Sequence, residues 1–341
     1  MALLKVSHLS KRFNLEAGFF AHFGRYVQAV EDLDFSIDRN ESYGLVGESG
    51  CGKTTTARLL VRMYEADQGS IIYENPDKVC ADVGSLKHSE LKQYREKVKY
   101  VFQDPARSLN PRMTIYEVLN SGRRHSSLRV SEKQSRKDAA LILEEVGLSG
   151  ADLFRRPSEF SGGQRQRISI ARALLMKPDL LICDEVVSAL DVSIQGQILN
   201  LLLDLKSRRD LSFLFIAHDL KVACYFCDRI GVMYRGELME EAKAETLWKK
   251  GLHPYTELLF SSVEGGKSPP PLHSFAVTLP PSAGQGPATP PANKQTPSRE
   301  PETGCAFSGR CPYADEQCCR EKPQLKEAGE DPQHRIRCFK R

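Results

Sequence analysis

Three short runs hold the side chains of this sequence best equipped for chemistry: Gly47-Glu48-Ser49-Gly50-Cys51-Gly52-Lys53-Thr54, then Phe160-Ser161-Gly162-Gly163-Gln164, then Leu180-Leu181-Ile182-Cys183-Asp184-Glu185. The first satisfies G-x-x-x-x-G-K-[ST] at every specified position. An apolar Tyr43-Gly44-Leu45-Val46 precedes it and a helix-like Thr54 to Leu60 follows. In that strand–loop–helix setting, backbone N–H groups and a helix N-terminus converge on phosphate oxygens. Gly47 to Thr55 are therefore the expected nucleotide-binding residues, with Lys53 on the β- and γ-phosphates and the Thr54 hydroxyl on Mg²⁺. Asp184 closes an apolar strand, where a carboxylate can hold Mg²⁺ through its water shell. Glu185, one residue on, is placed to orient and deprotonate an attacking water.

The elements that must position these groups alternate short apolar strands with helical patterns from residue 1 to about 262, as an α/β domain with a largely parallel sheet requires. Val98–Phe102, Leu180–Cys183 and Phe213–Ala217 are expected as buried strands. After Gln103 the strands give way to an insert, about 104–165, of helical periodicity. Ser131 and Gln134 form an expected capping box, Ala139, Ile142, Leu143 and Val146 follow at helical spacing, and Gly147 stops the helix. Residues 263–303 are rich in Pro, Ser, Gly and Thr and are expected as a flexible linker. Beyond them, residues 304–341 form a small Cys-rich extension.

Composition bounds the function. The 341 residues suffice for one large or two modest domains, and 48 Lys and Arg against 44 Asp and Glu give a net charge of only +4. That balance implies no nucleic-acid partner. No apolar run reaches membrane-spanning length and the first residues lack a signal-peptide core, so a cytoplasmic protein is expected. Ten cysteines in a reducing compartment point to thiols or metal ligands rather than disulfides.

Ser161-Gly162-Gly163-Gln164, set between a phosphate loop and an apolar strand ending in Asp-Glu, resembles the signature of the ATP-binding cassette (ABC) family, with Phe160 where that signature has Leu. The resemblance implies a RecA-like α/β core with an antiparallel β subsheet and a helical subdomain. It also implies ATP as substrate. His218 is similar to the switch histidine that contacts the γ-phosphate, Gln103 to the loop glutamine that senses Mg²⁺ and the water, and Asp191 to the dimer-interface aspartate. Ser161 to Gln164 would complete the ATP site of a second ATPase subunit. An aromatic stacks on adenine in this family; Phe13, Phe23 and Tyr26 qualify, and Tyr26 is favoured because Val27-Gln28-Ala29-Val30-Glu31 resumes the family-like run.

Gln103-Asp104-Pro105, Ser108 to Thr114, Asp184 to Ser193, Ala217-His218-Asp219-Leu220 and His253-Pro254-Tyr255-Thr256 resemble the ATPase subunits of oligopeptide and dipeptide importers, the second ("F-type") subunit in particular. That implies a heterodimer with a second ATPase, two membrane permease subunits, an extracytoplasmic solute-binding protein and a peripheral place on the cytoplasmic face of the inner membrane. Related importers carry nickel, glutathione or oligosaccharides, and cassettes acting on nucleic acid or ribosomes are the remoter alternative. Some members hold a [4Fe–4S] cluster on C-terminal cysteines, here Cys305, Cys311, Cys318 and Cys338. Cys319 competes with Cys318 as third ligand, and a four-thiolate Zn²⁺ site or metal-free thiols remain open. Cys224 and Cys227 are expected as structural thiols on a helix.

Overall fold

A computed structural model describes residues 2–14, 26–75, 78–261, 303–329 and 331–341. The linker assigned to 263–303 (apart from residue 303) and the candidate Phe23 lie outside the described residues.

Long apolar alternation makes β1 (Ala2–Asn14) and β2 (Tyr26–Asp38) an antiparallel pair; β3 (Ser42–Val46) starts a second sheet, and β4 (Gln68–Asn75) and β5 (Lys78–Asp82) return to the first. The first sheet is four-stranded and antiparallel, in the order β2-β1-β4-β5. The second continues with β6 (Val98–Val101), β7 (Leu180–Asp184), β8 (Ser212–Ala217), β9 (Arg229–Tyr234), β10 (Glu237–Lys243), β11 (Lys326–Glu327) and β12 (Arg335–Ile336). Its order is β11-β12-β10-β9-β3-β8-β7-β6. The strands from β6 to β9 are parallel, and β10 and β12 run antiparallel to their neighbours. β3, β7 and β8 are buried along their whole length, which is why they read as unbroken apolar runs. Alternate side chains divide between two cores: Leu181, Cys183, Phe213 and Phe215 enter one, Leu180, Ile182, Leu214 and Ile216 the other.

Helix α1 (Lys53–Leu60) leaves the glycine-rich loop, and α2 (His88–Lys97) leads into β6. Between β6 and β7 lie α3 (Pro105–Ser108), α4 (Ile115–Asn120), α5 (Glu132–Glu145) and α6 (Gly162–Leu174). On α5 the Ser131 hydroxyl accepts the Gln134 N–H at 3.3 Å, but the Gln134 amide turns to Asp138 at 2.6 Å. The expected capping box is thus half formed, because an i,i+4 partner on the same helix competes for the amide. Ala139, Ile142, Leu143 and Val146 are buried as the periodicity requires, and Gly147 ends the helix at φ +75°. Next come α7 (Val192–Arg208), α8 (Leu220–Phe226), α9 (Ala244–Lys250), α10 (Pro254–Ser261) and α11 (Glu316–Arg320). Cys224 is half-buried on α8 and Cys227 is buried as its C-terminal cap, and burial pushes the Cys224 thiol up to about 12.

The C-terminal extension is built into this core. β12 pairs with β10 at Glu240↔Ile336 and Glu241↔Arg335. Glu240 and Glu241 have no exposed surface, and each meets a base from the tail: His334 Nε2 lies 2.7 Å from Glu240, and Arg335 Nε donates to Glu241 at 2.6 Å. Burial raises the Glu237 carboxyl, and Lys322 and Arg337 pull it back. Phe307, 1% exposed, packs its ring against Tyr234 and Tyr255 at 5.3 Å.

Candidate functional site

Gly52 shows why the loop is glycine-rich. It sits at φ +108°, and a Cβ there would lie 2.2 Å from the Ala29 carbonyl oxygen of β2. The loop therefore packs on β2 backbone and enters α1 through a left-handed residue. Lys53 is almost fully buried, and its Nζ donates to the carbonyls of Gly47 at 2.7 Å and Glu48 at 3.0 Å, bridging the loop from within. Cys51 is buried beside it; burial raises that thiol despite the ammonium. Gly47 is buried, whereas Glu48, Ser49 and Gly50 face outward.

The two adjacent carboxylates face different partners. Asp184 ends β7, where its Oδ1 accepts the Thr54 hydroxyl at 3.0 Å and its Oδ2 accepts the Tyr100 hydroxyl. Glu185 follows at φ +49°, a costly conformation for a residue bearing a Cβ. That turn sends its carboxylate to the Gln103 amide, which donates to Oε2 at 2.7 Å. His218, exposed just past β8, joins Glu185, Ser188 and Asp219 in lining a cavity of about 40 Å³. A cavity needs only ~10–15 Å³ to hold a water, so there is space for one beside Glu185. Thr54, Asp184, Glu185, Gln103 and His218 thus come together at the ends of α1, β6, β7 and β8. Thr55 is half-buried on the first turn of α1.

Ser161 to Gln164 form a separate constellation. Ser161 caps α6 by accepting the Gln164 N–H at 3.3 Å, and the Gln164 side chain accepts the Ser161 N–H at 2.9 Å. Gly162 and Gly163 pack against Leu190 and Ile194, flanking the exposed Asp191 at the start of α7. Among the described residues, the hydrogen bonds of Ser161 to Gln164 stay within this turn and helix. Tyr26 opens β2 with the Arg12 guanidinium 5.0 Å over its ring, and Phe13 meets Tyr64 edge-on at 5.1 Å.

In the tail, Cys318 is buried while Cys319 is exposed, and the Cys305 N–H donates to the Cys318 carbonyl at 2.8 Å. Burial pushes the Cys305 thiol up to about 11, and the Cys318 and Cys338 thiols add to the rise. Cys311 is half-buried against the same core as Cys305 and Cys318. Three functional neighbours escape sequence inspection: Tyr100 on Asp184, and Tyr255 and Arg310 on Glu48. Tyr255 and Arg310 lie 207 and 262 positions from Glu48, so no local pattern marks them.

The family model described as ABC transporter matches residues 30–188, and the one described as oligopeptide/dipeptide transporter, C-terminal region, matches residues 239–318. A probable peptide ABC transporter ATP-binding protein of Sinorhizobium fredii is 42% identical over 95% of this chain and 86% of its own length. The oligopeptide transport ATP-binding protein AppF of Bacillus subtilis is 39% identical over 98% of this chain and 96% of its own. Among solved structures, a dimeric ATP-binding cassette in a post-hydrolysis state with ADP and phosphate is 27% identical. It superposes at a TM-score of 0.61 over 71% of this chain and 98% of that one. With the phosphate loop, the Asp-Glu strand end and the signature turn all in place, the chain belongs to the ATP-binding subunits of the oligopeptide/dipeptide ABC transporter family.

Proposed function

We propose that this chain hydrolyses ATP to power the import of di- and oligopeptides, as one half of an ATPase pair on the cytoplasmic face of the membrane. The observation that carries this is the joining of the cassette's phosphate loop, Asp-Glu strand end and signature turn to the oligopeptide/dipeptide C-terminal region in one chain. Glu185 takes the proton of the attacking water, Gln103 holds its carboxylate, and His218 faces the γ-phosphate across the shared cavity; their meeting supports these roles. Thr54, Asp184 and Gln103 would hold Mg²⁺, which neutralises phosphate charge when bound. Tyr26 is the adenine-stacking aromatic. Ser161 to Gln164 and Asp191, lying apart from the Lys53 loop, serve the partner's nucleotide, so the working unit is a heterodimer with a second ATPase. No helix among the described residues is long and apolar enough to cross a membrane. Translocation therefore falls to two permease subunits, with a solute-binding protein delivering the cargo. Affinity purification from membranes tests this: the tagged chain should bring down those partners, and peptides should stimulate ATP turnover. Stimulation by nickel, glutathione or oligosaccharides instead would reassign the cargo, and recovery with ribosomes would overturn the transport role.

We propose that Cys305, Cys311, Cys318 and Cys338 hold a [4Fe–4S] cluster rather than zinc. A tetrahedral Zn²⁺ with bonds of about 2.3 Å draws its thiolates to within about 4 Å of one another. Among the described residues, no three of Cys305, Cys311, Cys318 and Cys338 bring their sulfurs mutually within 4.8 Å. A four-iron cluster spreads its ligands, since each thiolate binds a different iron. Buried Cys318 rather than exposed Cys319 is the third ligand. Anaerobic preparations should be brown, with about four irons per chain. Cys311→Ser or Cys338→Ser should bleach them and Cys319→Ser should not; colourless protein with stoichiometric zinc would reverse the assignment.

A further inference from the structure

Glu48 of the phosphate loop is gripped at all three of its polar groups. Its carbonyl accepts from Lys53 Nζ at 3.0 Å, and its N–H donates to the Tyr255 hydroxyl at 3.0 Å. Its carboxylate receives both Nη atoms of Arg310, at 2.9 and 3.0 Å. Two of those three partners come from outside the stretch matched by the cassette model: Tyr255 from α10 and Arg310 from the Cys-rich tail. Arg310 is itself held in position. Its guanidinium lies 5.7 Å from the centre of the Tyr234 ring and 5.8 Å from that of Phe307, within the aromatic cluster that fastens the tail to β9 and α10.

We propose that Arg310 is a positioning residue for ATP binding, through which the C-terminal extension neutralises Glu48 and holds the phosphate loop open to a polyanion. The electrostatic logic is direct. A loop that gathers N–H groups and one lysine to bind three phosphates is weakened by a carboxylate beside them. Paired to Arg310 in a two-point fork, that carboxylate is cancelled and kept pointing outward. Glu48 and Arg310 are each 43% exposed, so the pair contributes little to global stability, and its effect falls on the loop it touches. The proposal rests on the ATP-binding role argued above.

The experiment is titration of the full-length chain with a fluorescent ATP analogue, with kcat measured in parallel. Arg310→Ala should raise the dissociation constant about fivefold, the upper end for one half-exposed charge pair, and Arg310→Lys, which keeps the charge but not the fork, should fall between it and wild type. Adding Glu48→Gln to Arg310→Ala should restore affinity to within about twofold, because the freed carboxylate is the cause. Loosened tail packing would not be repaired by that second change. Should Arg310→Ala fail to fold, Arg310→Gln keeps the stem against Phe307 and carries the same comparison. Unchanged affinity in Arg310→Ala or Arg310→Gln, or a loss that persists beside Glu48→Gln, overturns the proposal. If the wild type and Lys53→Ala bind the analogue equally poorly, the ATP-binding role itself fails and takes this inference with it.

Discussion

Glu185→Gln should lower steady-state ATP turnover by about 10²–10⁴-fold while leaving ATP binding intact. Glutamine keeps the size of the side chain and can still meet the Gln103 amide, but it cannot accept a proton. The effect is expected to be large because the neighbouring carboxylate at the strand end cannot take over the role. Asp184, the other carboxylate at the strand end, is occupied by the Thr54 and Tyr100 hydroxyls. The turn at Glu185, φ +49°, aims the two carboxylates at different partners, so one cannot take over the other's position. With hydrolysis blocked and binding kept, the ATPase pair should accumulate closed, read as nucleotide retained after gel filtration. Lys53→Ala supplies the contrast, since removing the ammonium that bridges Gly47 and Glu48 should abolish binding itself. Phosphate release at the wild-type rate from Glu185→Gln would remove Glu185 from the role of base.

How much of this was legible in the sequence depends on how far apart the partners lie. Lys53, Thr54, Asp184 and Glu185 were readable because each belongs to a short run whose flanks dictate a strand end or helix start. β3, β7 and β8 were readable because burial on both faces leaves an unbroken apolar run. Gln103 and His218, just past β6 and β8, were marked by the family resemblance and not by a pattern of their own, and β6 is fully buried only at Val98 and Val101. The tail was different. Its cysteines stand out, but its docking depends on pairing across long separations, 94 positions for His334 with Glu240 and 262 for Arg310 with Glu48. One signal was available: Glu237, Glu240 and Glu241 crowd into one short strand, Glu237–Lys243, more acidic groups than its single lysine can pair. Buried carboxylates require partners, and a strand of alternating base and apolar residue, Arg335-Ile336-Arg337, is the kind that supplies them. Tyr100 remained hidden for a milder reason, because an aromatic in a strand is core by default and only the parallel register of β6 with β7 brings its hydroxyl to Asp184.

Removing residues 304–341 should therefore cost the cassette its fold rather than trim an accessory. Truncation withdraws His334 from Glu240, Arg335 from Glu241, and Arg337 and Lys322 from Glu237, while the three carboxylates stay in place. Glu241 keeps the Tyr43 hydroxyl at 2.8 Å, and Glu240 keeps the N–H groups of Leu252 and His253. Glu240 is then left with neutral donors alone, and Glu241 with the Tyr43 hydroxyl and the Arg229 guanidinium 3.9 Å away, which offsets only part of its charge. Breaking one buried ion pair costs about 3–5 kcal/mol, and a domain holds only about 5–15 kcal/mol in all. Losing Arg335 from Glu241 and the His334 hydrogen bond from Glu240, with the Phe307 ring stripped from Tyr234 and Tyr255, should leave the truncated chain insoluble or without a cooperative urea transition. The charge argument makes a sharper claim than general loss of packing. Glu240→Gln with Glu241→Gln, which destabilise the intact chain by orphaning His334 and Arg335, should partly rescue the truncated one, because the unpaired charges are gone. A truncated chain that unfolds cooperatively at the wild-type midpoint would show that the extension is not part of the core, and no rescue by the two glutamines would trace the loss to Phe307 and its packing instead.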